Sequence, residues 1–179
     1  MPDTITGKIA RKYMAHFLDA SFMGETPSLY RLGADLEEFN VELNPNTEQK
    51  QNILGENTFT HSGYEISASA EPYYAVVGDE LFEKLQEIID GQKTDDSLKT
   101  YAYEVHLWEA GTGSGTFVAY RQEVYVVPTS YGGDTTGYQI PFEVHYVGEK
   151  VLGNFTPASG STPASWAAVA YSRPAGLSS

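Results

Sequence analysis

The sequence predicts a mainly β chain with one flanking α-helix, at about residues 79–90, and one long polar loop, at about residues 44–57. Three observations carry this expectation. Three late segments alternate apolar and polar residues with the period of two that half-buried strands require. A single stretch holds an apolar stripe of helical spacing. Upstream of both, residues 44–57 run through Asn, Thr, Gln and Glu without any period.

Taken in order, the first half holds the weaker strands. Residues 13–22 mix aromatic and aliphatic side chains, but Lys12 precedes them and His16 and Asp19 interrupt them. Phe39, Val41 and Leu43 alternate with Glu38, Asn40 and Glu42; Tyr64, Ile66 and Ala68 alternate with Glu65, Ser67 and Ser69. A hairpin between those two strands needs only about two to five residues, so the polar stretch 44–57 is far too long for a simple turn. Long aperiodic loops inside compact domains usually carry function.

The helix follows. Leu81, Phe82, Leu85, Ile88 and Ile89 form one apolar stripe, Asp79 stands where it caps or charges the N-terminus with Glu80 and Glu83, and Gly91 is the expected stop. Such a solitary amphipathic helix must pack on a face or edge of a sheet. Next come the three clear strands. Tyr101, Tyr103, Val105 and Leu107 oppose Ala102, Glu104, His106 and Trp108. Residues 117–127 are rich in Val and Tyr and end at Pro128, and Tyr138, Ile140, Phe142, Val144 and Tyr146 share one side of a third run. Gly111, Gly113 and Gly115 mark the first turn and Gly132-Gly133-Asp134 the second, which makes an antiparallel meander. From residue 156 the composition shifts to Ala, Ser, Pro and Gly with Arg173 as the only charge. The expected division is therefore a folded domain over 1–155 and a flexible tail over 156–179, with Trp166 and Tyr171 available to dock in an assembly.

Composition narrows the function. The 179 residues include 24 Asp plus Glu against 11 Lys plus Arg, for a net charge of −13, and no cysteine. The absence of cysteine excludes disulfides, thiolate metal sites and cysteine nucleophiles. The acidity argues against ordinary nucleic-acid binding, which rests on cations displacing counterions from phosphates, and against anionic membrane surfaces. Lys8, Arg11 and Lys12 face only Asp3 at the N-terminus; from residue 13 onward 23 acids face eight bases, scattered singly or in pairs. That pattern suits a solvated shell around a core. No secretory signal or apolar run of about 18 residues is present, so the expected site of synthesis is the cytosol.

Four features of the sequence bear on chemistry. Glu-Val-His occurs twice, at 104–106 and 143–145, and each copy points a carboxylate and an imidazole the same way from a strand. Two such strands side by side would suit iron or zinc, but polar faces of half-exposed strands explain them with less. Glu104, Glu123 and Glu143 are candidates for paired-carboxylate work, yet three acids on neighbouring strands are expected by chance among 24. The Gly-Thr-Gly-Ser-Gly at 111–115 is followed by a strand and no Lys, which reads as a turn rather than a phosphate loop. The sequon at Asn154 means little without a secretory signal. The expectation is a protein with no enzymatic activity and with no catalytic, cofactor-binding or metal residues.

With the elements placed, the chain resembles the major tail proteins of phages with long non-contractile tails. The resemblance spans roughly residues 3–155. It rests on the polar Asp-Thr-Ile-Thr-Gly-Lys opening, Tyr30-Arg31-Leu32-Gly33 leading into residues 36–43, Asn44-Pro45 opening the polar loop, the acidic helix, and the late strands with their Val-Val-Pro ending. It implies a β-sandwich or barrel flanked by a helix, with subunits closing into stacked, hexameric rings that form a tail tube conducting DNA. The 44–57 loop would reach the adjacent ring. Partners would be further copies of the chain, a tape-measure protein, a tail terminator and tail-tip proteins, with DNA passing unbound. Assembly would take place in the host bacterial cytoplasm. Carboxylates on the bore, Glu104, Glu123 or Glu143 among them, would repel phosphates. Two other readings stay open: a β-sandwich module binding carbohydrate through Trp108 and tyrosines, and a tube protein of a contractile injection machine.

Overall fold

Alternation in the sequence is matched by strand in the structure. The structure, a computed structural model, describes residues 6–25, 27–33, 36–157 and 168–172. A 3-10 turn (Arg11–Tyr13) leads into β1 (Met14–Asp19), β2 (Leu29–Leu32), β3 (Leu36–Glu42), β4 (Pro45–Gln51), β5 (Asn57–Tyr64) and β6 (Ser67–Tyr73). The helix α1 (Glu80–Gly91) and a second 3-10 turn (Asp95–Leu98) follow. The remainder is β7 (Lys99–Ala110), β8 (Phe117–Pro128), β9 (Gly132–Asp134), β10 (Gly137–Gln139), β11 (Phe142–Pro157) and β12 (Ala168–Ser172). The main sheet is antiparallel in the order β2-β1-β7-β8-β11-β6-β3, and β12 pairs the far end of β11.

The sheet is strongly curled. His16 on β1 and Phe39 on β3 stand near opposite edges of the sheet, yet their rings are 5.0 Å apart. Arg11 spans the same gap, donating to the carbonyls of Met14 and Phe39. A half-barrel therefore closes around the face that carries Leu18, Ala68, Ala70, Val124, Val126, Phe142 and Val144, all almost wholly buried. Its apolar end is covered by α1 through Leu81 and Leu85. Each such aliphatic side chain removed from water contributes roughly 1.5–3 kcal/mol.

A second cluster lies on the opposite face: Ala15, Phe17, Tyr103, Val105, Leu107, Phe117, Ala119 and Phe155. Here the curl reverses, since Phe155 on β11 and Phe17 on β1 bring their rings to 5.3 Å, and β12 approaches β2. The change of direction coincides with register shifts between Val147 and Val151 on β11 and between His106 and Ala110 on β7. Bulges of this kind bend a strand and re-aim its side chains. β1 crosses between the two clusters and is buried on both faces, including His16 and Asp19. Asp19 is satisfied by the N–H groups of Ser21 and Ser28 and the Ser21 hydroxyl.

Several expectations change in detail. β7, β8 and β11 form the predicted meander, but a small β9–β10 hairpin occupies the expected second turn, and Pro141 separates Ile140 from β11. The polar loop at 44–57 is not aperiodic: Pro45–Gln51 pairs with Asn57–Tyr64 as a separate two-stranded hairpin. Both its faces are wet, so no apolar period marked it. At the helix, Asp79 is the N-cap residue by backbone, but its carboxylate accepts the hydroxyls of Tyr30 (2.9 Å) and Tyr73 (2.8 Å) rather than a helix N–H. Gly91 is the last helical residue, and Gln92 takes the left-handed conformation that ends the helix. Of the stretch 156–179, β11 covers its start and Ala168–Ser172 forms β12; the rest, Trp166 included, lies outside the described residues.

Candidate functional site

Two surfaces stand out, a polar sheet face and a projecting hairpin. Register fixes the first. Asn40, Ser69 and Glu143 lie side by side across β3, β6 and β11, as do Glu42, Ser67 and His145, and Glu38 lies opposite Glu71. Directly opposed residues share a face, so these point away from Ala68, Ala70 and Val144. Further across the same face, Glu123 on β8 lies beside Tyr101 and pairs with Lys99 at 3.0 Å. His145 sits 3.1 Å from Glu143. The result is an acid-rich sheet face with Glu38, Glu42, Glu71, Glu123 and Glu143 against Lys99 and Arg121, whose guanidinium lies over the Tyr101 ring. Like charges directly opposite across an antiparallel pair are destabilising, so the Glu38–Glu71 opposition is held at a cost to the fold.

The half-barrel interior has a polar end. His16, Glu104, Gln122, Tyr146 and Lys150 converge there on a cavity of about 340 Å³ whose mouth is spanned by Arg11. Glu104 receives His106 Nε2 at 2.8 Å and Lys150 Nζ at 3.4 Å. Burial pushes its carboxyl up, but the His106 bond and the charges of Lys150 and His16 outweigh this and hold it below the usual range. His16 is pushed down to about 4, first by burial and then by the neighbouring Arg11 charge. Gln122 donates to the Gly148 carbonyl, while its buried Oε1 has no partner among the described residues.

The structure separates what the repeated Glu-Val-His motif suggested. Register places Glu104 and His106 on the concave side with Ala102, and Glu143 and His145 on the opposite side, so the two copies cannot share an ion. Among the described residues no group of three or more His, Asp or Glu stands close enough to hold a metal. The three candidate acids on neighbouring strands are split as well, Glu104 facing the interior and Glu123 and Glu143 the acid-rich face. Trp108 is stacked on His106 at 4.5 Å, which occupies one of its faces. The glycine turn is tied down by Asn154, whose Oδ1 accepts the Thr112 N–H and whose amide donates to the Thr112 hydroxyl. Asn154 is buried, which removes the sequon from the surface. Sequence reasoning passed over Glu38 and Glu71; the alternation of Glu38, Asn40 and Glu42 with apolar residues was the signal, and only register reveals that a second acid faces Glu38.

The hairpin β4–β5 is exposed along nearly its whole length. At its tip Asn52 Oδ1 accepts the N–H groups of Leu54 (2.9 Å) and Glu56 (3.0 Å), and Asn52 Nδ2 donates to the Glu56 carboxylate (2.8 Å). Gln51 donates to the Gly55 carbonyl, and Gly55 supplies the positive φ of the turn. This bonding holds Ile53, fully exposed, and Leu54, 78% exposed, at the summit. A two-stranded hairpin is marginal alone in water, and a fixed tip presenting two aliphatic side chains to solvent has the form of a contact surface.

No protein-family model and no curated protein matches the sequence. Among solved structures, the chain is similar to that of the SPP1 tail tube, determined by solid-state NMR and cryo-EM. The TM-score is 0.55 at 10% identity, over 81% of this chain and 78% of that one. The likeness is one of fold. No helix among the described residues is long and apolar enough to cross a membrane.

Proposed function

We propose that the chain is the repeating subunit of a phage tail tube. The observation that carries the reading is the likeness of its curled sheet to the SPP1 tail tube. Two features say how copies would meet. Among the described residues β3 ends the sheet, and a neighbour's strand would continue the sheet from it around a ring, hexameric by analogy. The β4–β5 hairpin would then bridge to the adjacent ring. Residues 1–155 form the tube-building body in this reading, and 156–179 a segment for contacts made in the assembled virion tail. The tape-measure, terminator and tail-tip proteins would set the tube's length and ends, with assembly in the host bacterial cytoplasm.

The acid-rich face gives the bore its chemistry. Glu38, Glu42, Glu71 and Glu143 on a lumen wall would repel phosphates, letting DNA slide through without being held. No catalytic step is assigned to the chain. The test is electron microscopy of the concentrated protein: rings or tubes are expected, and a strict monomer at every concentration would refute the reading. Replacing residues 46–63 by a two-residue turn is expected to leave folding intact and abolish ring stacking, read by circular dichroism and microscopy together.

A further inference from the structure

We infer that the hairpin tip of one copy docks in a groove at the C-terminal end of α1 of a second copy. The inference rests on the tube reading and names the receiving surface that reading lacks. The groove, of about 610 Å³, lies between the end of α1 and the strand end that leads to β9; Ile88, Ile89, Leu98, Val127, Pro128 and Tyr131 line it. Tyr131 is largely exposed, so its ring stands at the rim with nothing of the described chain over it.

Tip and groove match in kind. The tip offers Ile53 and Leu54 on a turn whose bonding within 51–56 is already complete, so little ordering remains to be done on docking. The groove offers an apolar floor of a size that ordinary binding pockets have. Charge agrees as well. Glu56 is the only charged residue at the tip, 51–56, and Lys93 is the only charged residue lining the groove among the described residues. Lys93 reaches Glu87 at the surface of its own helix. Exchange of that exposed ion pair for Glu56 costs little, because exposed pairs are worth little.

The occupant is a second copy rather than the same chain folded back, because in the subunit itself Ile53 and Leu54 stand in solvent and do not enter the groove; the contact then joins two different surfaces of the subunit. Such head-to-tail contacts propagate, whereas self-complementary ones stop at a dimer. A tube needs the propagating kind.

The cysteine-free sequence makes the test direct. In protein carrying both Leu54→Cys and Tyr131→Cys, mild oxidation of the concentrated sample is expected to give a ladder of disulfide-linked oligomers on a non-reducing gel. Either single variant is expected to stay monomeric. Dimers from Leu54→Cys alone would mean tip-to-tip contact, and a link within one chain would mean folding back; each overturns the proposal. Ile53→Ser is expected to weaken assembly at least roughly tenfold, the loss that goes with one buried aliphatic side chain. Rings formed separately from Ile53→Ser and from Ile89→Ser protein are expected, once mixed, to stop at stacked pairs. The intact tips of one dock in the intact grooves of the other, and nothing is left to extend the stack. Tubes from the doubly substituted protein without any 54–131 link would overturn the groove while leaving the tube reading standing. A wild type that never assembles would overturn both.

Discussion

His16 shows what a single buried residue contributes to the pH response. It stands among Arg11, Glu104, His106 and Lys150, and burial with the adjacent guanidinium pushes it down to about 4. In the unfolded chain it titrates near 6.5. Between those values the unfolded state binds the proton and the folded state does not, so stability is full above about pH 6.5 and falls as pH drops toward 4. The loss over that window is about 3 kcal/mol from this one group. Glu104 loses its own contribution only at lower pH, as its depressed carboxyl is protonated. Urea midpoints are expected to fall from pH 7 to pH 5 in the wild type and much less in His16→Gln; equal slopes would remove His16 from this role. Gly111 gives a second prediction at this scale. A Cβ there would stand 2.5 Å from Thr116 Oγ1 and 2.6 Å from Asn154 Oδ1, so Gly111→Ala is expected to cost about 1–3 kcal/mol by overpacking, read in the same unfolding assay.

Individual elements differ in how far their residues announce them. β7 and β8 were legible because most of their positions alternate between burial and partial exposure. α1 was legible from its stripe, and Leu81 and Leu85 are wholly buried as that stripe requires. Leu85→Ala is expected to destabilise by about 2–5 kcal/mol, measured by urea unfolding, because the sheet beneath cannot collapse into the vacated space. β1 was illegible for a physical reason: clusters on both of its faces abolish the period of two, and His16 and Asp19 read as interruptions although they are buried. The hairpin failed in the opposite way, since two wet faces also leave no period. The acid-rich face was half legible. Alternation placed Glu143 and the polar side of β3, while the pairing that sets Glu38 against Glu71 exists only in register.

For the whole molecule, that opposition separates stability from use. Glu71→Lys turns a repulsive pair into an attractive one and is expected to raise subunit stability by roughly 0.2–1 kcal/mol, seen as a higher melting temperature. In assembled tubes the same substitution is expected to make DNA co-sediment at low salt and to release it as salt rises. Tubes that still ignore DNA would place this face elsewhere than the bore. The charge of −13 thereby becomes a matter of where acids stand, with one share spent inside on His106 and Lys150 and another gathered on a single face.

β11 carries a mechanical consequence. Its sixteen residues take part in both clusters and would span at most about 50 Å at about 3.3 Å each, roughly the breadth of a domain this size. It is paired with β8 on both sides of its bulge, so a pull between its ends loads that ladder in shear. Hydrogen bonds in shear must fail together, whereas those of the projecting hairpin, pulled at its base, unzip one pair at a time. Under axial load the molecule would therefore yield first at β4–β5 and last along β11, with the body keeping its shape while its outer connection gives.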